Sequence, residues 1–149
     1  MLENLSKEPY EVDRLRILDF YLLFPILLQN FTLPRKATSY RKTIRALDIP
    51  YERIEDPFKI FLQIEPLQSS ALRCIASYDI IDADQLSDGK ILRTEKHLPK
   101  QLKDAINKAY TENPDLLNFL TGPLFDLDFY GHGGLKARSG LVEHRYDPQ

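Results

Sequence analysis

Few side chains in this sequence could bind a metal ion or act as an activated nucleophile. There are three histidines, His97, His132 and His144, and one cysteine, Cys74. No two of them stand at the short spacing that zinc-binding pairs use. We therefore expect no metal ion, no cofactor and no catalytic residue, and we predict that the protein is not an enzyme.

The motif Gly131-His132-Gly133-Gly134 has the composition of the loop that binds the oxyanion in lipase-like enzymes. The Gly-x-Ser-x-Gly motif that carries the nucleophile of those enzymes is missing from the sequence. A phosphate-binding loop is also disfavoured, because no Gly-Lys-Ser/Thr follows the glycines. We interpret the motif as a backbone turn that needs positive φ angles.

One segment of the chain, residues 35–45, is strongly basic. It contains no acidic residue, and Tyr40 lies among its cations, which are Arg35, Lys36, Arg41, Lys42 and Arg45. A run of like charges is often only a solvated surface. The alternative, equally weighted, is that these side chains bind a phosphate backbone or an acidic partner.

The composition is that of a small soluble protein with one core. The chain has 149 residues, of which 43% are hydrophobic and 28% charged, and its net charge is −2. The longest apolar run, residues 20–28, is interrupted by Pro25 and is shorter than the roughly 20 residues that span a bilayer. With a lone cysteine and no recognisable secretory signal, we expect a cytoplasmic protein that does not contact a membrane.

The first half of the chain predicts an arm and a central helix. Residues 1–11 are polar and lack periodicity, so we expect a flexible N-terminal arm. From Val12 the apolar residues recur at helical spacing, and we expect Asp13 to cap this helix. Pro25 cannot continue the hydrogen-bond ladder, so it predicts a kink, after which residues 26–31 finish a segment buried on more than one side.

The middle of the chain predicts a winged helix-turn-helix. Asp56 and Pro57 are typical of a helix start, and Pro66 is expected to end that helix and start a second one that runs to about Tyr78, with Gln68 on its outward side. Two short β-like segments, residues 80–81 and 90–94, then flank a turn at Asp88-Gly89. The order of helix, helix and hairpin is that of a winged helix.

The last third predicts additional C-terminal helices and a Gly-rich tail. Helices are expected over residues 99–110 and 114–120, and an edge strand over residues 124–129. The predicted fold is therefore α+β: a single winged-helix-like domain over residues 12–149, whose final part, residues 121–149, is a docking tail.

A winged helix suggests DNA binding, and a DNA-binding transcriptional regulator is our alternative function. The candidate recognition helix offers few groups to base edges, namely Gln63, Gln68 and Arg73. The predicted wing is acidic, which disfavours contact with phosphate. Binding of other macromolecules is favoured over sequence-specific recognition of DNA.

The tail combines glycines, apolar side chains and cations in a pattern that suits partner binding. Aromatic side chains and arginine often anchor protein interfaces, and cations pair with carboxylates of a partner. The candidate partner-binding residues are Gly131, Gly134, Leu135, Lys136, Arg138, Gly140, Leu141, Arg145 and Tyr146. The alternative is that the tail folds back on its own core.

Two stretches resemble a known family. The opening segment, residues 14–25, and the closing block, residues 131–141 with Glu143, Arg145, Tyr146 and Asp147, resemble the middle components of bacterial ABC three-component systems. The resemblance extends over roughly residues 12–147. The terminal block is the more specific part.

This resemblance implies a role in defence against phage or plasmids, of the Lamassu kind. In such systems a middle component accompanies an SMC/RecN-like ABC ATPase and an effector protein, often a nuclease. The resemblance therefore implies a non-catalytic adapter subunit that binds both. DNA is left open as a further ligand of the assembled complex.

Overall fold

The computed structural model describes residues 2–5, 7–47 and 54–142. They are mostly helical and include one two-stranded antiparallel sheet, which is compatible with the predicted α+β class. The α-helices and strands, in chain order, are β1 Tyr10–Glu11, α1 Val12–Leu23, α2 Arg41–Arg45, α3 Pro57–Ser77, α4 Ala83–Ser87, β2 Lys90–Ile91, α5 Lys100–Glu112, α6 Pro114–Phe119 and α7 Leu135–Ser139. The other helical segments are the 3-10 helices Leu2–Asn4, Pro25–Asn30 and Arg35–Tyr40 and the π-helix Leu120–Leu124.

Helix α1 forms the centre of the core, as the sequence predicts. Its buried side chains are Leu15, Ile17, Leu18, Phe20 and Tyr21. They lie around more than one side of the helix, and α1 contacts α3, α7, the sheet and the π-helix. The N-cap is Glu11 and not Asp13, which lies in the first turn.

Pro25 ends α1, which confirms the predicted interruption. The last α-helical amide, that of Phe24, donates to the carbonyl oxygen of Phe20 at 2.9 Å. Pro25 has no N–H to extend the ladder, and the chain continues as the 3-10 helix Pro25–Asn30.

Helix α3 overturns the predicted break at Pro66. It begins as expected, with the Asp56 side chain accepting a hydrogen bond from the Lys59 amide at 3.0 Å. It then runs without interruption through Pro66 to Ser77. Phe61 before the proline and Leu72 after it are both buried, so tertiary packing outweighs the hydrogen bond lost at Pro66.

The winged-helix interpretation is accordingly not confirmed. A helix-turn-helix needs two helices joined by a turn, and α3 is a single helix. The predicted wing survives only as one antiparallel bridge between Ile81 and Arg93. Strand β2 pairs instead with β1, in the register Tyr10 with Ile91.

The N-terminal residues 2–5 and 7–11 make defined contacts, although they belong to the predicted arm. Leu5 and Tyr10 are buried, and Glu3 forms an ion pair with Arg93 at 2.8 Å. The division of the chain into an arm and one domain stays a prediction.

The predicted helices of the last third are confirmed, but the edge strand over residues 124–129 is wrong. The π-helix ends at Leu124, and turns follow. Leu124 and Phe129 are buried, which explains the apolar alternation. The carbonyl oxygens of Phe125 and Leu127 accept hydrogen bonds from a side chain, Arg14, instead of pairing with a strand.

Candidate functional site

The basic segment, residues 35–45, is folded and packed along its inner side. Its two helical pieces bury Ala37 and Ile44. The Tyr40 ring packs against Phe119, with the ring centroids 5.3 Å apart. The Gln29 side chain donates to the carbonyl oxygen of Ile44 at 3.3 Å. The segment is therefore held to the body by apolar and polar contacts together.

The outer side of this segment carries its cations. The side chains of Arg35, Arg41, Lys42 and Arg45 are exposed, and we call these four residues the cationic surface. Within the part of the chain that the structure describes, none of the four forms an ion pair with a carboxylate. Lys36 lies in the same segment, but its side chain is outside the described part.

The Gly-rich block, residues 131–142, is fixed to the residues just before it. The Leu135 amide donates to the carbonyl oxygen of Asp128 at 2.7 Å, and the Lys136 amide to that of Phe129 at 3.2 Å. Leu135 and Leu141 are fully or nearly fully buried. This part of the predicted docking tail contributes Leu135 and Leu141 to the core.

Glycine is required at defined positions of this block. A Cβ atom at Gly134 would overlap the carbonyl oxygen of Tyr130 and would lie 2.8 Å from that of Asp128. Gly131 and Gly140 have φ angles of +83° and +63°, where other residues are strained. The prediction that the Gly131-His132-Gly133-Gly134 motif is a turn that needs positive φ is confirmed at Gly131.

The outward side of the block presents polar and aromatic groups. Tyr130, which directly precedes the block and lies beside it, is 42% exposed, and the Lys136 ammonium lies 5.8 Å from the centre of its ring. The Arg138 guanidinium donates to the carbonyl oxygens of Gly133, at 2.5 Å, and Thr32, at 2.7 Å. Thr32 lies three positions before the basic segment, so Arg138 connects the Gly-rich block to the chain just before that segment.

Arg14 on α1 holds the segment that leads into the block. Its guanidinium donates to the carbonyl oxygens of Phe125 and Leu127, at 2.5 and 2.6 Å, and pairs with Glu11 at 2.9 Å. The same group lies 5.3 Å from the centres of the Phe125 and Phe129 rings. Burial raises the pKa of the neighbouring Tyr10, and the Arg14 charge opposes that rise.

A groove with a mainly apolar lining separates α1, α3 and α5. Its volume is about 300 Å³. One wall is polar: Gln68 is buried, and its amide nitrogen donates to Asp19 at 2.9 Å while its oxygen accepts from Arg16 at 3.1 Å. The expectation that Gln68 points outward is therefore wrong. The face of α5 that lines the groove includes Leu102, which is 41% exposed.

In the described part of the chain, no group of three or more histidine, cysteine, aspartate or glutamate side chains is arranged to hold a metal ion. The helices of the same part include none with the length and apolar character to span a membrane.

One known protein family matches nearly the whole chain. The family model for middle component 5 of ABC three-component systems matches residues 1–147. The chain belongs to this family. Neither the curated proteins nor the solved structures gave a match. The resemblance predicted from the two ends of the sequence is confirmed, and the match also includes the N-terminal residues.

The candidate residues of this middle component occupy different environments. Lys136 and Arg138 lie at the surface of the Gly-rich block, whereas Leu135 and Leu141 are buried beneath it. Arg145 and Tyr146 lie outside the described residues. Partner binding by this set stays a prediction.

Sequence reasoning missed two charged residues of the middle component that make several contacts. Arg14 and Arg16 stand in an otherwise apolar helix pattern, between Asp13 and Leu18, and their side chains are each only 11% exposed. Charged groups inside an apolar periodicity indicate buried partners. That pattern marks both arginines, but it does not identify the distant carbonyl and amide groups that they bind.

Proposed function

We propose that this middle component is a non-catalytic adapter that acts in the cytoplasm. It joins an SMC/RecN-like ABC ATPase to an effector protein, often a nuclease, in a bacterial complex of the Lamassu kind that defends against phage or plasmids. Membership of the middle-component family over residues 1–147 is the observation that carries this proposal. A middle component of a three-component system works with the other components of that system.

The roles of the buried charges support a rigid adapter. Arg14 binds the chain before the Gly-rich block, and Arg16 joins α1 to α3 through Gln68. Arg93 donates to the carbonyl oxygen of Ile80 at 2.9 Å and forms an ion pair with Glu3 at 2.8 Å. These guanidinium groups connect segments distant in sequence, and each uses several donors to do so. A fixed shape reduces the ordering cost when two partners bind.

The exposed side of the Gly-rich block is the surface that we assign to a protein partner. Tyr130 offers an exposed aromatic ring next to the Lys136 cation. Aromatic side chains and cations that can pair with carboxylates are common anchors of protein interfaces. Leu135 and Leu141 are buried beneath this surface, and their packing holds it in position.

The alternative, a winged-helix transcriptional regulator, gains no support from the fold. The helix expected to read base edges is the second half of the continuous helix α3. Gln68, one of its few candidate contacts, is buried against Arg16 and Asp19.

Binding to each separate component tests the proposal. The purified chain should bind the ATPase component and the effector component individually, and alone it should hydrolyse neither nucleotide nor ester. Tyr130→Ser with Lys136→Glu should weaken binding to one of them. Tyr78→Ser with Lys59→Glu, the same exchange at other exposed sites, should not. Binding to neither component, or turnover by the isolated chain, would contradict an adapter role.

A further inference from the structure

The cationic surface shares no residue with the surface that we assign to a protein partner, and its chemistry fits another kind of ligand. We propose that Arg35, Arg41, Lys42 and Arg45 bind the phosphate backbone of duplex DNA without reading its sequence. The choice of DNA over other duplexes rests on the proposed function in defence. The phosphate chemistry rests on the surface itself.

Charge is segregated in this protein. The segment of residues 35–45 carries five cations and no acidic residue, although the net charge of the chain is −2. The remainder therefore carries an excess of negative charge, which repels a polyanion. An anionic ligand would be attracted to the cationic surface and oriented by the acidic remainder. This distribution of charge favours a polyanion that contacts the cationic surface alone over one that wraps around the protein.

The polarity of the surface favours nucleic acid over a protein partner. The exposed neighbours of its cations include the hydroxyl side chains of Thr38 and Ser39. The large hydrophobic residues that are exposed in the described chain all lie elsewhere; they are Leu23, Phe58, Leu62, Leu67, Tyr78, Leu102 and Tyr130. Protein interfaces usually have an apolar centre, whereas interfaces with DNA are more polar and positively charged. Arginine, lysine and hydroxyl side chains are the usual phosphate contacts.

The position of Tyr40 favours a duplex over a single strand. Proteins that bind single strands stack bases on exposed aromatic rings. Tyr40 is the aromatic residue of this segment, and its ring is half-buried against Phe119. It is therefore used for packing, and the groups left for the ligand are those that contact backbone phosphates.

The segment that carries the cations is folded and packed against the rest of the protein. Ala37 is fully buried and Ile44 is 4% exposed, so both helical pieces of the segment are fixed to the body. Arg41 and Arg45 are four positions apart within α2, and residues at this spacing lie on the same side of a helix. The charges are thereby held together before the ligand arrives.

Fluorescence anisotropy with a labelled duplex of random sequence tests this proposal on the purified chain alone. The logarithm of the association constant should fall with the logarithm of salt concentration, with a slope of about −3 to −4, because each neutralised phosphate contributes about −0.9. Arg41→Glu with Lys42→Glu should lower the affinity at least about tenfold and flatten the slope by about 2.

Lys100→Glu with Lys103→Glu is the matched control, since it makes the same charge change at exposed positions of α5. It should leave the slope unchanged, and an unlabelled DNA duplex should compete better than single-stranded DNA. Equal losses in both variants, or an unchanged slope in the first, would overturn the proposal. So would better competition by the single strand than by the duplex. Binding to the other components is measured separately, so failure here leaves the adapter proposal standing.

Discussion

The guanidinium of Arg14 and the carbonyl oxygen of Leu127 lie 2.6 Å apart, although 113 residues separate them along the chain. Through this bond and its neighbour at Phe125, the central helix α1 holds the turns that lead into the Gly-rich block. Helix α1 also contacts α7, which belongs to the closing block, so the two segments that carry the family resemblance lie against each other. Their relationship is structural: one end positions the other.

Arg14→Met should strongly destabilise the protein. The substitution keeps much of the side-chain volume but leaves two partly buried carbonyl oxygens and the Glu11 carboxylate without their donor. We expect the free energy of unfolding to fall by about 3 kcal/mol. Arg14→Lys should restore only part of it, because one ammonium cannot reproduce the fork of a guanidinium.

Urea denaturation measures this loss. Arg73→Met is the control, because Arg73 is an exposed arginine of α3 whose hydrogen bond to Ser70 is long, at 3.4 Å. It should change stability by less than about 0.5 kcal/mol. Equal effects at the two arginines would show that Arg14 does not hold the segment.

Gly134→Ala should destabilise the Gly-rich block, and Gly122→Ala should not. A methyl group at Gly134 would overlap the Tyr130 carbonyl, whereas one at Gly122 would meet no atom within 4 Å. We expect a loss of at least about 2 kcal/mol at Gly134 and a change near zero at Gly122. Thermal unfolding of both variants measures the difference, and similar melting temperatures would contradict the described packing.

Pro66→Ala should stabilise the protein. Pro66 is exposed and lies inside the continuous helix α3, where proline costs about 3 kcal/mol relative to alanine. Pro57→Ala is the control, since a proline in the first turn loses no hydrogen bond. Urea denaturation should show a higher midpoint for Pro66→Ala only. A lower midpoint would indicate that the chain needs a break at this residue.

The helices were predictable where local chemistry decides them. Asp56 with Pro57 marks the start of α3, and Pro25 marks the end of α1, because capping and a missing amide act within a few residues. The predicted break at Pro66 is wrong because the local cost of proline is outweighed by the burial of Phe61 and Leu72 on either side of it. That burial depends on contacts distant in sequence.

The candidate site was predictable in composition but not in geometry. The cations of residues 35–45 and the glycines of the block stand out in the sequence. The burial of Leu135 and the bond between Arg138 and Thr32 depend on how the chain returns to its core. No local pattern encodes that return. The apolar alternation over residues 124–129 predicts a strand. It does not show that carbonyl oxygens in this segment accept hydrogen bonds from the Arg14 guanidinium instead of from a neighbouring strand.

Alkaline pH should reduce stability through two buried tyrosines. Burial raises the pKa of Tyr21 and of Tyr10 above the ordinary value near 10. Above about pH 10 the unfolded chain loses these protons while the folded chain keeps them, so the free energy of unfolding falls as the pH rises. Below about pH 10 both states are neutral at these groups, and they contribute no pH dependence.

Tyr21→Phe isolates this effect, because it retains the ring that packs against Phe31, at a centroid distance of 5.7 Å. Between about pH 8 and pH 11 the variant should lose about 1.4 kcal/mol less stability than the parent protein. Urea denaturation at the two pH values checks it. Identical losses in the two proteins would contradict the burial of the Tyr21 hydroxyl.

Native mass spectrometry of the reconstituted system tests the adapter role most directly. Under the proposed function, the ATPase and effector components should remain separate when mixed alone, and addition of this chain should produce one species that contains all three. A stable complex of ATPase and effector without this chain, or a species that never contains all three, would contradict the account.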